Sequence, residues 1–345
     1  MKETKGFSAS DWHKAFTVTF IGEEALDWGG VSREFFHLLC TQCFNCSNGM
    51  FRRFKDDSQA LVHPNPHHPP TVTPHHYHFA GRVVGKCLFE SSLGTNLHVS
   101  AHFTRSFLAQ IIGLRINYKY FESDDPDLYV SKIQYIRENG VSDLELVFAE
   151  EEFSEDGTVR VVPLEEGGEE KPVTDENKTH YLNLLAQYRL AKQTKTQVEH
   201  FVKGLHDLIP DNLLGIFDEN ELELLMCGTD AVSYDDLKKH AVVTPSANTN
   251  FQRVVSWFWL VVSGFAREEM ARLLQFVTGS SQLPPGGFKD LSPKFQITSA
   301  PTHGRLPSAH TCFNQLCLPE YDSCEQFQTA LTLALNEGTE GFGFL

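Results

Sequence analysis

Long apolar runs are missing from this chain. The most apolar stretch, Val254 to Ala266 between Arg253 and Arg267, is 13 residues long, short of the ~20 that a membrane-spanning helix needs. The opening MKETKGFSASDW holds no apolar signal core. Basic side chains are scarce, 29 Lys and Arg against 45 Asp and Glu, and the formal charge is -16. That balance argues against nucleic acid as a partner, which a basic stripe would bind. Eight cysteines in 345 residues are too few for a disulfide scaffold and point to a reducing, cytoplasmic setting. Aromatics are plentiful, with 27 Phe, which excludes a disordered chain. The length exceeds the ~250–300 residues at which single cores stop growing, so two domains are expected. Folded-looking sequence directly after Met1 suggests a fragment of something longer.

The negative charge is concentrated. Residues 122–179 hold 18 Asp and Glu against five Lys and Arg, a net of -13. Turn signals break this block at SDDPD (123–127), EDG (155–157) and EEGGEE (165–170), and LELVF (144–148) and TVRVV (158–162) read as strands between them. The block reads as a small α+β subdomain inserted between helical flanks. Helical spacing marks 31–44, 79–93, 102–113 and 181–190. FDENELELLMCG (217–228) carries a capping Asp218, Glu221 three residues on and a closing Gly228. GTDAV (228–232) then reads as a hinge. Beyond it, 251–265 and 267–279 read as helices, 294–298 and 313–318 as strands, and 324–338 as a last helix. HPNPHHPPTVTPHHYH (63–78), with six His and five Pro, reads as a stiff solvated loop rather than a metal site, since nothing fixes ligand geometry.

Cys40, Cys43 and Cys46 form C-x2-C-x2-C, but the fourth thiolate of an iron–sulfur run is absent. Helical spacing instead lines up His37, Cys40 and Cys43 on one stripe, read as a buried face. Cys87, Cys227, Cys317 and Cys324 sit in or beside apolar runs and read the same way. Cys312 differs. It lies in RLPSAHTCFNQLCLP, at a loop-to-strand junction with His310 two residues before it. Only a few per cent of an ordinary thiol is ionised at neutral pH, so a nucleophile there needs nearby imidazole or backbone N–H groups. A packed thiol is the competing reading.

LPSAHTCFNQLCLPEY resembles the active-site segment of HECT-type E3 ubiquitin ligases, LP-x-x-HTCFN followed by L-x-LP-x-Y. GEEALDWGGVSREFF (22–36), FAGRVVGKCLFESS (79–92), FDENELELLMCG, WFW (257–259), LLQFVTGSSQLPPGGF (273–288) and the terminal GFGFL match the same family in order. The loop at 63–78 and the length after Cys312 resemble the apoptosis-resistant E3 ligase subgroup in particular. The resemblance implies an α+β, bilobal catalytic domain. Residues 1–228 would form a mainly helical N-lobe, with about 116–190 as the small subdomain that receives an E2 conjugating enzyme. Gly228, Thr229, Asp230, Ala231 and Val232 would form the hinge, and 233–345 an α/β C-lobe.

The same resemblance implies that Cys312 takes ubiquitin from the E2 as a thioester and passes it to a lysine of a protein substrate, with neither metal nor cofactor. His310 would either assist proton movement or hold the loop, and Thr311 would shape the loop or contact ubiquitin. Phe342, between Gly341 and Gly343, would anchor the tail for transfer. Tyr181 and Leu128 fall at E2-groove positions, whereas Lys132 stands where an apolar residue is usual. Leu345 offers only its terminal carboxylate where some relatives end in an acidic side chain. Two rival classes are a cysteine hydrolase, whose papain-like local signature is absent, and a silent module docking a basic partner on the acidic block. Intact HTCFN and GFGFL argue against the second.

Overall fold

The computed structural model describes residues 4, 6–20, 30–54, 61–153, 159–245 and 248–337. The chain forms two compact units interleaved in sequence. One takes the described residues of Met1–Gln42, Val83–Ser100 and Leu224–Leu345, and the other those of Cys43–Arg82 and Ala101–Glu223. The segment 229–232 lies inside the first.

In the second unit, two helices cross almost backbone to backbone. They are Pro74–Ser92, through its first residues, and Lys195–His206. A Cβ on Gly81 would sit 1.9 Å from the Phe201 carbonyl oxygen, and one on Gly204 would sit 1.9 Å from that of His78. No residue larger than glycine fits either place. A chain of edge-on rings, Phe44–Phe103, Phe103–Phe107 and Phe107–Phe201, continues from that crossing at centroid distances of 5.0 to 5.5 Å, a favoured geometry for aromatic pairs. Strands β1 (Phe51–Arg53) and β2 (Val62–Pro64) pair antiparallel. This corrects the reading of 63–78 as a solvated loop. His63 is fully buried, with Nδ1 2.7 Å from Thr104 Oγ1, and the run's last residues open the helix at Pro74, where proline's missing N–H costs nothing.

The acidic block is built as expected in kind, with one shift in register. Strands β3 (Ala149–Phe153) and β4 (Val159–Pro163) pair antiparallel. The run LELVF is not a strand: Ser142–Leu144 is a 3-10 turn and Glu145 adopts φ 47°. Three glutamates, Glu150 to Glu152, occupy β3 instead. Glu150 is buried against Lys132 and Arg189, and Glu152 accepts from Tyr188 and from Gln193 at 2.7 Å. Ion pairing and hydrogen bonding therefore place charge where strand propensity argues for apolar residues. Beneath lies one apolar cluster that includes Phe121, Ile133, Phe148, Tyr181, Leu185 and Leu190. Asp124, buried, accepts from the Arg105 and Ser106 amides at 2.7 and 2.9 Å, so it caps the helix Arg105–Ile111 from 19 residues away; burial still pushes its carboxyl up.

The first unit holds a four-stranded sheet of order β5-β6-β8-β7: Val242–Val243, Gln296–His303, Gln315–Glu320 and Ser308–His310. The first three run parallel, whereas β7 pairs antiparallel with β8. Ile297, Leu316 and Leu318 share one core with Phe251, Val254 and Phe258 of the helix Thr249–Val262. Leu273 and Val277 of Arg267–Thr278 and Phe327 and Leu331 of Cys324–Glu337 complete it. These spacings of three, four and seven are the helical period read from the sequence. The helix Glu219–Cys227 ends as its residues predict. Asp218 accepts from the Glu221 amide at 2.8 Å while Glu221 accepts from the Asp218 amide at 3.0 Å, and Gly228 follows at φ +68°.

Candidate active site

Cys312 sits at the tip of the β7–β8 hairpin. The last paired residues are His310 and Gln315, so four residues, 311 to 314, close the turn. Thr311–Phe313 forms one 3-10 turn, and Asn314 ends it in the left-handed region at φ 48°. Asparagine tolerates that region better than other side chains do. The thiol is half-buried, and its neighbours His310 and Phe313 are exposed. β8 is an interior strand, so the turn is open at its surface and fixed at its base.

The base is fixed by side chains that bond to backbone. Asn314, fully buried, donates from Nδ2 to the Pro293 carbonyl at 2.6 Å, and its own carbonyl accepts from the Gln296 amide at 2.8 Å. Gln296 Nε2 donates to the Phe313 carbonyl at 3.2 Å. Arg33, of the helix Gly30–Cys43, donates Nη1 to Asn314 Oδ1 at 3.1 Å and Nη2 to the Thr311 carbonyl. The sequence reading missed Arg33, although a signal was present: Arg33, Phe36 and Cys40, at i, i+3 and i+7, form the buried stripe of their helix. The stripe expected through His37, Cys40 and Cys43 is only partly so, since His37 and Cys43 are half-buried. The imidazole of His310 has no hydrogen-bond or ion-pair partner among the described residues.

Gly228, Thr229, Asp230, Ala231 and Val232 are tied to their surroundings. Thr229 and Leu283 exchange backbone hydrogen bonds at 2.8 and 2.9 Å. A Cβ on Gly228 would meet the Leu283 oxygen at 2.3 Å, so glycine is required there for space as well as for its positive φ. Asp230 pairs with Arg267, and the Val232 amide donates to the Asp230 carbonyl at 2.9 Å.

The two E2-groove candidates fare differently. Tyr181 is 1% exposed and packs edge-on against Phe148 at 5.6 Å, so its ring is core and presents no surface to a partner. Leu128 is half-buried against the same cluster. Among the described residues of this subdomain, the large apolar side chains that are exposed are Val130, Tyr135, Leu144, Val159 and Val161. Lys132 donates to Glu150 at 3.2 Å. Phe342, Gly341, Gly343 and Leu345 lie outside the described residues. Among the described residues, no group of three or more His, Cys, Asp or Glu side chains converges as a metal site, and no helix is long and apolar enough to cross a membrane. A cleft of about 360 Å³ is lined by Arg52, Arg53, Asp125, Glu150, Glu152 and Arg189 among others, with no residue of the Cys312 hairpin. The Cys312 thiol is half-buried at its turn. It suits exchange with a group carried on another macromolecule.

A half-exposed thiol on a braced hairpin, in a mixed α and β chain, suits a cysteine acyl carrier. The family described as HECT-domain (ubiquitin-transferase) matches residues 37–345, and the chain belongs to it. It is 60% identical to human apoptosis-resistant E3 ubiquitin protein ligase 1 over all of its own length and 42% of that protein's. It is also 41% identical to the Arabidopsis thaliana E3 ubiquitin-protein ligase UPL2 over 98% of this chain and 9% of that one. With Saccharomyces cerevisiae E3 ubiquitin-protein ligase TOM1 the figures are 38%, 94% and 10%. The chain therefore spans less than half the length of the first of these relatives and about a tenth of the other two.

Proposed function

We propose that the chain is the catalytic part of an E3 ubiquitin ligase, with Cys312 as its thioester carrier. The observation that carries this reading is the thiol's place at the tip of a hairpin whose base is fixed by buried Asn314 and Arg33. The Cys312 thiolate attacks the carbonyl carbon that joins ubiquitin to the E2 cysteine. A new C–S bond forms, the old one breaks, and the E2 leaves as thiolate. One thioester replaces another of similar energy, so no cofactor is needed. A substrate lysine amine then displaces Cys312 and forms an isopeptide bond. Orientation supplies much of the rate, since effective molarities are worth several kcal/mol. The exposed His310 imidazole is within two residues of the thiol and is free to take part in proton movement.

In this reading the E2 docks on the subdomain of about 116–190, where Val130, Tyr135, Val159 and Val161 offer exposed apolar surface and the net charge attracts a basic partner. Residues 228–232 form the joint between an N-lobe of 1–228 and a C-lobe of 233–345, and Phe342 anchors the tail during transfer. The setting is cytoplasmic. The human and mouse relatives bear apoptosis resistance in their names, and a role in regulating apoptosis belongs to this proposal.

The test is incubation with ubiquitin, activating enzyme, ATP and a panel of E2s. A ubiquitin adduct is expected that reductant removes and that Cys312→Ala abolishes; no adduct with any E2, or an adduct that survives in Cys312→Ala, defeats the reading. In the same assay Phe342→Ala should load ubiquitin yet form fewer isopeptide products, and equal loss of both defeats the anchoring role.

A further inference from the structure

Arg33 is an arginine at 7% exposure, a place where charge is costly unless its donors are used well. Two of its N–H groups reach the Cys312 turn, one on each side of the thiol: Nη2 to the carbonyl of Thr311 and Nη1, at 3.1 Å, to Oδ1 of Asn314. The planar fork holds those donors at a fixed separation, so both acceptors are satisfied only while the turn keeps one shape. Asn314 is held in turn by the Pro293 carbonyl at 2.6 Å. We propose that Arg33 is a positioning residue for discharge of ubiquitin from Cys312 to lysine, which rests on the reading of Cys312 as the thioester carrier.

The chemistry follows from which peptide Arg33 touches. The Thr311 carbonyl belongs to the same peptide group as the Cys312 N–H. Donation to that oxygen draws charge from the peptide and strengthens its N–H as a donor. This N–H is the backbone donor nearest in the chain to an acyl group on Cys312 Sγ, where an oxyanion forms during transfer. In discharge, the amine nitrogen attacks the thioester carbon, the C–N bond forms, and the C–S bond breaks. Cys312 leaves with the electron pair as thiolate, and the proton lost by nitrogen passes to water. The E2 has left by that moment, so besides ubiquitin itself only this chain's groups and the incoming amine can reach the carbonyl. In loading, the same carbonyl begins in the E2's own site, among groups that the E2 supplies. A defect in Arg33 therefore weighs more on discharge than on loading.

The clasp also joins residue 33 to positions 278 and 281 further along the chain, on the far side of segment 228–232. Any rearrangement that carries the turn away from the helix Gly30–Cys43 opens it, which restricts the braced turn to one arrangement of the chain.

The experiment compares the unaltered chain with Arg33→Met, which keeps apolar bulk without donors, and Arg33→Lys, which keeps charge without the fork. Each is loaded by an E2 that loads the unaltered chain, freed of E2 activity by quenching, and chased with free lysine over a range of concentrations. Discharge by Arg33→Met is expected to fall about tenfold further than its loading does, in the rate at saturating lysine rather than in the lysine dependence; Arg33→Lys should lie between. Equal losses in both steps, unaltered discharge, or complete rescue by lysine overturns the proposal. If Arg33→Met fails to fold, Asn314→Gly, which retains the positive φ but removes one acceptor, should show the same imbalance, and its absence is equally decisive. Failure of the unaltered chain to form any reductant-sensitive adduct defeats the ligase reading itself, whereas normal discharge by the Arg33 variants defeats the clasp alone.

Discussion

The two compact units use polar side chains for opposite purposes. Around Cys312, Arg33, Gln296 and Asn314 all donate to carbonyl groups, and three of those four acceptors are main-chain oxygens. Around β3 the bonds run from side chain to side chain: Lys132 and Arg189 to Glu150, Tyr188 and Gln193 to Glu152. The first pattern fixes the course of the backbone and leaves the thiol at the surface. The second fixes where charge is held. Around Cys312 the main chain is held and the side chain left open, whereas around β3 the charged side chains themselves are held.

Substitutions that strike one unit alone test this contrast. Gly204→Ala is expected to have the largest effect, because its methyl would overlap the His78 oxygen in a backbone-to-backbone crossing. The second unit should lose about 3 kcal/mol or more, while hydrogen exchange at the buried amides of β6 and β8 stays slow. Equal loss of protection in both units would show that they unfold as one. Glu150→Gln should cost less, about 1–2 kcal/mol. The lost charge is buried, but Lys132 and Arg189 are each about a third exposed and partly screened. Chemical denaturation should register that loss in the second unit, and a change in the β6–β8 amides would contradict the separation of roles.

The smallest effect concerns acid. Burial, with a lesser contribution from Arg52, pushes His63 down to about 3 from an ordinary 6.5, and burial pushes His98 of the first unit down to about 4. A depressed histidine stays neutral in the fold while the unfolded chain takes up its proton. Stability is therefore full above pH 6.5 and falls as pH drops through that value toward the folded pKa. At pH 5.5 each histidine should cost about 1 kcal/mol. His63→Asn keeps a polar group facing Thr104 and should flatten the acid limb of the second unit only; an unchanged limb would assign the acid sensitivity elsewhere.

Much of this was legible in the sequence where local chemistry decides the outcome. The Asp218–Glu221 cap, Gly228 and the three helices around the Cys312 sheet follow from capping and period alone, and a family resemblance singled out Cys312. The failures have a common cause in long-range partners. LELVF has strand propensity, but Phe148 is drawn into the subdomain core and the ladder forms on Glu150 to Glu152, whose charges find Lys132, Arg189, Tyr188 and Gln193. His63 looks like part of a polar loop until Thr104, 41 residues on, meets it at 2.7 Å. Tyr181 was matched to a surface role by position, yet Phe148 claims its ring. Arg33 has no task visible in its own motif, because its acceptors lie 278 and 281 residues away.

The bonds on either side of Gly228 bear on how the chain can bend. The Val99 amide donates to the Met226 carbonyl at 2.9 Å, and Thr229 is bridged to Leu283. Only Cys227 and Gly228 lie between those anchors, and this short link is itself held: Cys227 ends the helix Glu219–Cys227, and the Gly228 amide donates to the Leu224 carbonyl at 2.9 Å. One of its two residues is already committed to a positive φ. So few free torsions leave little room to bend while both anchors hold, so a bend at this point requires the Thr229–Leu283 pair to break. A change of course at this point is then a step with a barrier of its own.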